Sequence, residues 1–471
     1  MAITSQSGNP TGKEAEFDLP DELLRKYNRP GPRYTSYPPA PAWTGDFTRA
    51  DLEEAFAQAN AAASDVSLYV HIPFCESLCL FCACNVVIQK DHRGAADYLE
   101  SLRGEIAALS RFVSPDRRVV QLHWGGGTPT YLEPRQMEDL FGELSGSFHL
   151  APDAEIGIEI DPRVTTRQHL ETLRRLGFNR LSMGIQDFHP QVQETIHRIQ
   201  PYEATRETIE AARELGFASL NVDLIYGLPL QTAERFQQTA ERVIELDPDR
   251  IALFSYAHVP WLKKQQGSFA SLLPPDHEKF QVFRGALARF LRAGYVYIGM
   301  DHFARPGDEL AQAQRTRTLH RNFQGYSTRA GADLYGLGVS AIGRIGITYA
   351  QNFRDLARYR EAAGKDGLAT MRGYRLTEDD RIRATVISRL LCHAVVKKEE
   401  INREFGLDFD TYFAKEIGQL KELEQDALVR ISPEEIAITT RGRIFMRNVA
   451  MAFDYYLPQF EGDRPRFSRT L

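Results

Sequence analysis

The chain has 471 residues, of which 43% are hydrophobic and 25% charged, with a formal net charge of −6. That composition fits a globular protein with one large domain and a smaller one. It argues against a dominant role on nucleic acid or at a membrane surface, and no apolar run approaches the ~20 residues that span a bilayer. The first residues are polar and lack an apolar signal core, so a cytoplasmic protein is expected, and nothing demands more than a monomer.

Residues 1–30 read as a disordered tail and residues 31–65 as an extended, aromatic N-terminal arm around Arg33-Tyr-Thr-Ser-Tyr-Pro. From residue 66, short β-branched runs alternate with stretches of helical period. Strands are predicted over 67–72, 119–124, 155–160, 180–185, 219–224 and 251–256, with a seventh over 295–299. Helices are predicted between them over 95–109, 135–144, 169–176, 204–215 and 233–246. About six strand–helix units predict an α/β fold whose parallel sheet curls into a partial or full (β/α) barrel over 66–350. The alternation then stops. Helical patterns over 377–396, 398–405, 409–425 and 440–458, with a hairpin around Pro433, predict a mainly helical, winged-helix-like domain over 351–471. Its acidic stretches, 399–404 and 422–426, argue against DNA binding.

Four of the five cysteines lie within residues 75–84. That clustering argues for a metal site in a reducing compartment and against a disulfide scaffold. Cys392 stands alone in an apolar stretch and reads as a buried small hydrophobe. Cys75, Cys79 and Cys82 are spaced Cys-x3-Cys-x2-Cys. Three thiolates on one loop can hold three irons of a cubane cluster and leave the fourth iron open to a reacting ligand, whereas an electron-transfer cluster is fully capped. The alternative is a Cys3His zinc site with His71, but the paired ligand knuckles usual in structural zinc sites are missing. Cys84 as a fourth ligand would close the open iron, so it is expected not to be one.

Barrel active sites lie at the C-terminal ends of the strands. Here the predicted strands run into the cysteine loop, Gly125-Gly126-Gly127-Thr128-Pro129, Glu159-Ile160-Asp161, Gln186-Asp187, Asp223 and Tyr256-Ala257-His258. Together these residues point to one site. The glycine run would let backbone approach a ligand without a Cβ clash, and Arg198 could pair with a carboxylate.

These motifs resemble the oxygen-independent coproporphyrinogen III oxidases, also called coproporphyrinogen dehydrogenases, of the radical S-adenosylmethionine superfamily. The resemblance runs from about residue 30 to the C-terminus. It rests on the Arg33 segment, His71-Ile-Pro-Phe-Cys, Phe81-Cys-Ala-Cys, His123-Trp-Gly-Gly-Gly-Thr-Pro-Thr-Tyr, Asn179-Arg-Leu-Ser-Met-Gly, Asp223-Leu-Ile-Tyr-Gly-Leu-Pro, Gly299-Met-Asp-His-Phe-Ala-Arg-Pro and His320-Arg-Asn-Phe-Gln-Gly-Tyr. Pro39 and Ala83 depart from the usual threonine and glycine. The resemblance implies Cys75, Cys79 and Cys82 as ligands of a [4Fe-4S] cluster, and two S-adenosylmethionine molecules. One would contact Tyr69, Gly126, Glu159 and Ile342. The other would contact Phe81, Gly127, Thr128, Gln186, Arg198, Asp223 and Ala257, with Gln324 nearby. It also implies the reaction: a 5′-deoxyadenosyl radical from S-adenosylmethionine opens the oxidative decarboxylation of two propionates of coproporphyrinogen III to vinyls, giving protoporphyrinogen IX in haem synthesis. An electron donor and acceptor, both unidentified, are needed. The substrate carries several carboxylates, for which Arg33, Lys90, Arg305 and Arg321 are candidate partners. Tyr34 and Tyr37 could close over the site or brace the barrel. Shorter relatives act as haem chaperones, but they usually lack the arm and the Cys-x-Cys ending. A radical methyltransferase that opens haem should lack the arm too.

Overall fold

A computed structural model describes residues 19–471 except 45, 461 and 463–465. Its main sheet has twelve strands. They are β1 (Val66–Ile72), β2 (Arg118–Gly126), β3 (His149–Ile160), β4 (Arg180–Gln186), β5 (Ser219–Tyr226), β6 (Arg250–Ser255), β7 (Val296–Gly299), β8 (His302–Ala304), β9 (Asp333–Leu337), β10 (Ile342–Ile345), β11 (Thr348–Asn352) and β12 (Thr370–Arg375). The order is β12-β11-β10-β9-β1-β2-β3-β4-β5-β6-β8-β7. β9 and β1 to β6 pair in parallel. Both flanks are antiparallel. The barrel is therefore partial, with the six predicted strand–helix units at its centre.

Sequence period explains the layering. In β4, Leu181, Met183 and Ile185 are buried, while Ser182, Gly184 and Gln186 keep partial exposure on the opposite face. In β5, Asn221 and Asp223 do the same. Side chains alternate across a strand, so one face packs under the helices and the other faces the barrel interior. The helices begin and end on local signals. Thr166 and Thr232 cap Arg167–Arg175 and Ala233–Leu246 by accepting main-chain N–H bonds. Gly177 and Gly216 follow helix ends with φ of 96° and 79°, a conformation that suits glycine.

Four differences from expectation have physical reasons. Residues 1–18 of the expected tail lie outside the described residues, but Asp21–Tyr27 is a helix. Leu24 and Tyr27 are buried, and Asn448 Nδ2 donates to Tyr27 O at 2.9 Å. The predicted strand at 295–299 exists, but as part of an antiparallel edge pair. The sheet also continues past residue 350, because β11 and β12 pair around the helix Leu356–Asp366. The predicted helix over 440–458 is broken into Arg441–Phe445 and Met446–Met451.

The C-terminal region packs Glu378–His393, Lys398–Phe405 and Ala414–Gln425 with a small sheet, Val395–Lys397, Glu435–Ile438 and Val429–Ile431, one strand more than the predicted hairpin. It holds the N-terminal arm in place. Arg447 donates to Gly31 O and to Pro32 O, Tyr34 OH to Asp454 Oδ2 at 2.9 Å, and Tyr455 N–H to Tyr37 OH at 3.0 Å. Tyr34 and Tyr37 are thus buried braces and not a lid.

Candidate active site

β1 leaves the sheet at Ile72 and runs directly into the cysteine loop. Gly127 N–H donates to Ile72 O and Thr128 N–H to Phe74 O, both at 2.8 Å. Phe74–Cys75 pairs in parallel with Val87–Ile88, so the loop is tied down on both sides. Cys82 N–H donates to Cys79 O at 3.1 Å, closing the turn between those two residues. A cavity of about 290 Å³ is lined by Cys75, Cys79 and Cys82 together with Phe81, Gly126, Gly127, Thr128, Glu159, Gln186, Arg198 and Asp223. At both glycines an added Cβ would meet protein atoms. A Cβ on Gly127 would stand 2.6 Å from Pro73 O, and one on Gly126 would stand 2.7 Å from the His71 ring. The protein itself fills that space. The glycine run lets the cysteine loop cross the end of β2.

The thiols sit among hydrogen-bond donors. Arg163 Nη2 and Arg198 Nη1 approach Cys79 Sγ at 3.4 and 3.6 Å, and Thr128 Oγ1 lies 3.4 Å from Cys75 Sγ. Cys84 also lines the cavity and hydrogen-bonds to Cys82, which holds Cys82 below the usual thiol range and Cys84 well above it. Burial pushes the free Cys75 thiol up to about 11. Asp161 binds both arginines, at 2.6 Å from Arg163 Nη2 and 3.0 Å from Arg198 Nη1. Burial would raise its pKa, but the two cations outweigh that and keep the carboxyl below its ordinary range. Glu159 behaves alike: burial raises it, yet His123 and the Gly126 N–H, at 3.0 Å from Oε2, hold it low. Asp223 goes the other way. Burial and the nearby Glu159 charge push it up to about 7, against the bonds from Asn221 and Ser182.

A second cavity, of about 260 Å³, is lined by Tyr69, His71, His123, Glu159, Phe323, Gln324 and Ile342 among others. Glu159 borders both cavities. Of the first expected set, Tyr69, Glu159 and Ile342 meet here, whereas Gly126 lies with the cysteines. Gln324, expected beside the second set, joins the first. Ala257 lines neither cavity. Asp187 is structural: it is fully buried and bonded by Thr239, Gln231 and His189.

Lys90 is exposed. Arg305 stacks 4.0 Å over Tyr295, ion-pairs with Asp247 and donates its N–H to Asp249 O, beside the start of β6 and away from the cavities. Arg33 pairs with Asp301 and covers Phe254, a residue of the cysteine cavity. Cys392 is buried as expected.

Sequence reasoning missed the wall behind the cysteine loop. The 3-10 segment Lys264–Leu272 and the residue before it grip the loop's carbonyls. Lys263 Nζ donates to Cys84 O at 2.5 Å, Gln265 Nε2 to Cys82 O at 3.1 Å and Gln266 Nε2 to Phe81 O at 2.8 Å. Gln266 is fully buried and also accepts from Val259 N–H at 2.6 Å. A Lys-Lys-Gln-Gln stretch reads as a solvated loop, so nothing local announces this clamp.

The donor set fits an iron–sulfur cluster better than zinc. His71 has both ring nitrogens engaged, Nδ1 with Tyr69 OH at 3.1 Å and Nε2 with Asn85 O at 3.0 Å.

Residues 69–243 match the radical SAM superfamily, and residues 376–445 match the HemN C-terminal domain. The oxygen-independent coproporphyrinogen III oxidase of Synechocystis is 45% identical, over 96% of this chain and 97% of its own length. That of Salmonella typhimurium is 46% identical, over 97% and 100%. The solved structure of the coproporphyrinogen III oxidase (HemN) of Escherichia coli, a radical SAM enzyme, superposes with a TM-score of 0.90 at 44% identity, covering 94% of this chain and 100% of that one.

Proposed function

The chain belongs to the oxygen-independent coproporphyrinogen III oxidases, radical SAM enzymes, and from that membership we propose how its residues divide the work. Its reaction is the oxidative decarboxylation of two propionates of coproporphyrinogen III to vinyls, giving protoporphyrinogen IX. Its cofactors are a [4Fe-4S] cluster and S-adenosylmethionine. Cys75, Cys79 and Cys82 hold the cluster. The chemistry supplied there is reductive generation of a 5′-deoxyadenosyl radical from the sulfonium.

The observation that carries the site assignment is the adjacency of three thiols and a set of nucleoside-suited groups in one cavity. Phe81 offers an aromatic face for adenine, backed by Ile196, Leu228 and Phe269. Asp223 and Gln186 suit ribose hydroxyls or an ammonium, and Arg198 suits a carboxylate. The neighbouring cavity with Tyr69, Gln324 and Ile342 suits a second S-adenosylmethionine, with Glu159 between the two. The barrel wall keeps water and oxygen from the reacting atoms. A haem chaperone is not favoured, because the arm is built into the interior.

The enzyme takes electrons from a donor and yields them to an acceptor, both unidentified, and works as a cytoplasmic monomer. Among the described residues, no helix is long and apolar enough to cross a membrane. The test is anaerobic cluster reconstitution followed by an assay with S-adenosylmethionine and coproporphyrinogen III. Divinyl product with 5′-deoxyadenosine supports the reading; stable haem binding without product overturns it.

A further inference from the structure

A third, smaller cavity of about 60 Å³ lies beneath the N-terminal arm, lined by Tyr34, Tyr37, His320, Arg321, Phe323 and Arg344 among others. It shares Phe323 and Leu334 with the 260 Å³ cavity, so the two are one side chain apart. Arg321 is the unusual member. It is only 9% exposed, yet among the described residues its Nε and Nη1 have no hydrogen-bond partner. Nη2 reaches only the main-chain oxygen of Arg33, at 3.5 Å. Its guanidinium also stands over the Tyr326 ring, at 5.1 Å from the centroid. The nearby carboxylate, Asp301, is already engaged by Arg33. Neighbouring His302 is half-buried, and desolvation with the surrounding arginines pushes its imidazole down to about 3. A buried guanidinium short of partners is costly in a ligand-free protein. Planar N–H donors of this kind match a carboxylate.

We propose that this cavity is a carboxylate subsite, in which Arg321, with His320 and Arg344 at its rim, takes a propionate that the reaction does not remove. The assignment rests on the tetrapyrrole reading above. The substrate carries more carboxylates than the two it loses, and the space is too small for the macrocycle but open to a side chain from the adjoining cavity. Arg321 is then a specificity-determining residue that sets the ring's orientation. A second source of the same chemistry is the methionine carboxylate of S-adenosylmethionine.

The test uses full-length, cluster-reconstituted protein and three variants, Arg321→Gln, Arg321→Lys and Arg344→Gln. Binding of coproporphyrin III and of its tetramethyl ester is measured by fluorescence, S-adenosylmethionine binding by equilibrium dialysis, and Tm without ligand. The wild type should prefer the free acid. Arg321→Gln should bind it about 10- to 100-fold more weakly and lose that preference. It should bind S-adenosylmethionine unchanged and melt no lower than wild type, since an orphaned charge is gone. Arg321→Lys should recover part of the affinity. Three results each overturn the proposal: an Arg321→Gln protein that discriminates as wild type does, one that melts lower, or one in which only S-adenosylmethionine binding weakens. Turnover by wild type in the same preparation separates these results from failure of the oxidase reading.

Discussion

Arg198 Nη1 stands 3.6 Å from Cys79 Sγ and 3.0 Å from Asp161 Oδ2, so one buried guanidinium joins a thiol of the cysteine loop to a carboxylate. Its Nη2 also donates to Gly184 O at 2.7 Å, so Arg198 ties β4 itself to the cysteine loop. Arg198→Met removes a cation beside the cluster and leaves Asp161 to Arg163 alone. We expect a loss of about 2–3 kcal/mol of stability and a more negative cluster potential, because the reduced state loses a nearby positive charge. Redox titration followed by EPR measures the second effect; an unchanged potential excludes the role.

Gln186 has a φ of 68°, in the left-handed region, where β4 and β5 slip register. A non-glycine residue there costs on the order of 1 kcal/mol. Its side chain folds back over Gly184 and into the cysteine cavity. Gln186→Gly should therefore raise stability by about 0.5–1 kcal/mol while weakening S-adenosylmethionine binding. Chemical denaturation and equilibrium binding on the same protein separate the two. A variant that loses both stability and affinity shows that the conformation is not strained.

Asp223 is pushed up to about 7 by burial and by Glu159. The proposed contact with ribose or ammonium requires the ionised form. S-adenosylmethionine affinity should be flat above that pH and fall toward tenfold per unit below it. The same sign applies to Glu159→Gln: removing the like charge lowers the Asp223 pKa, so the decline starts at lower pH. An affinity that does not change through neutral pH rules out Asp223 as the anionic contact.

Much of this site follows from strand parity, because alternate residues face the interior. Tyr69, His123, Glu159, Ser182 and Asp223 all fall on the inward phase of β1 to β5. That phase also brings in Asn221, and it puts His123 and Ser182, which the motifs contained without a role, on the site's wall. Cys75, Cys79 and Cys82 stand out in sequence because metal chemistry constrains such spacings, and the structure brings them to one cavity. The side chains that hold the loop in place do not stand out. Gln266 acts through contacts 185 residues away with Phe81, and no local period encodes such a pair. Arg305 and Lys90 looked like Arg321 in sequence. Only the topology separates a guanidinium beside the start of β6 from one buried under the arm.

Cys84 hydrogen-bonds to Cys82 from the cavity wall. Serine keeps a donor at that place, so Cys84→Ser should still assemble a cluster, whereas Cys82→Ser should abolish assembly and activity. Iron and sulfide content per chain after anaerobic reconstitution reports both. Failure of assembly in the Cys84 variant alone would make Cys84 a ligand and the present assignment wrong.

Gln266 is engaged at both of its polar atoms between the cysteine loop and the segment after β6, 2.8 Å to Phe81 O and 2.6 Å from Val259 N. Gln266→Ala leaves two half-buried main-chain groups without partners, at about 1 kcal/mol each. The thermal midpoint should drop by several degrees. Loosening Phe81 should also cost more in S-adenosylmethionine affinity than in iron content, since the thiols keep their own ties through Gly127 and Thr128. Gln266→Glu keeps the acceptor for Val259 and loses the donor for Phe81. It should therefore reproduce the binding defect while recovering part of the stability. A Glu variant that binds S-adenosylmethionine as wild type does would show that the Phe81 carbonyl needs no clamp.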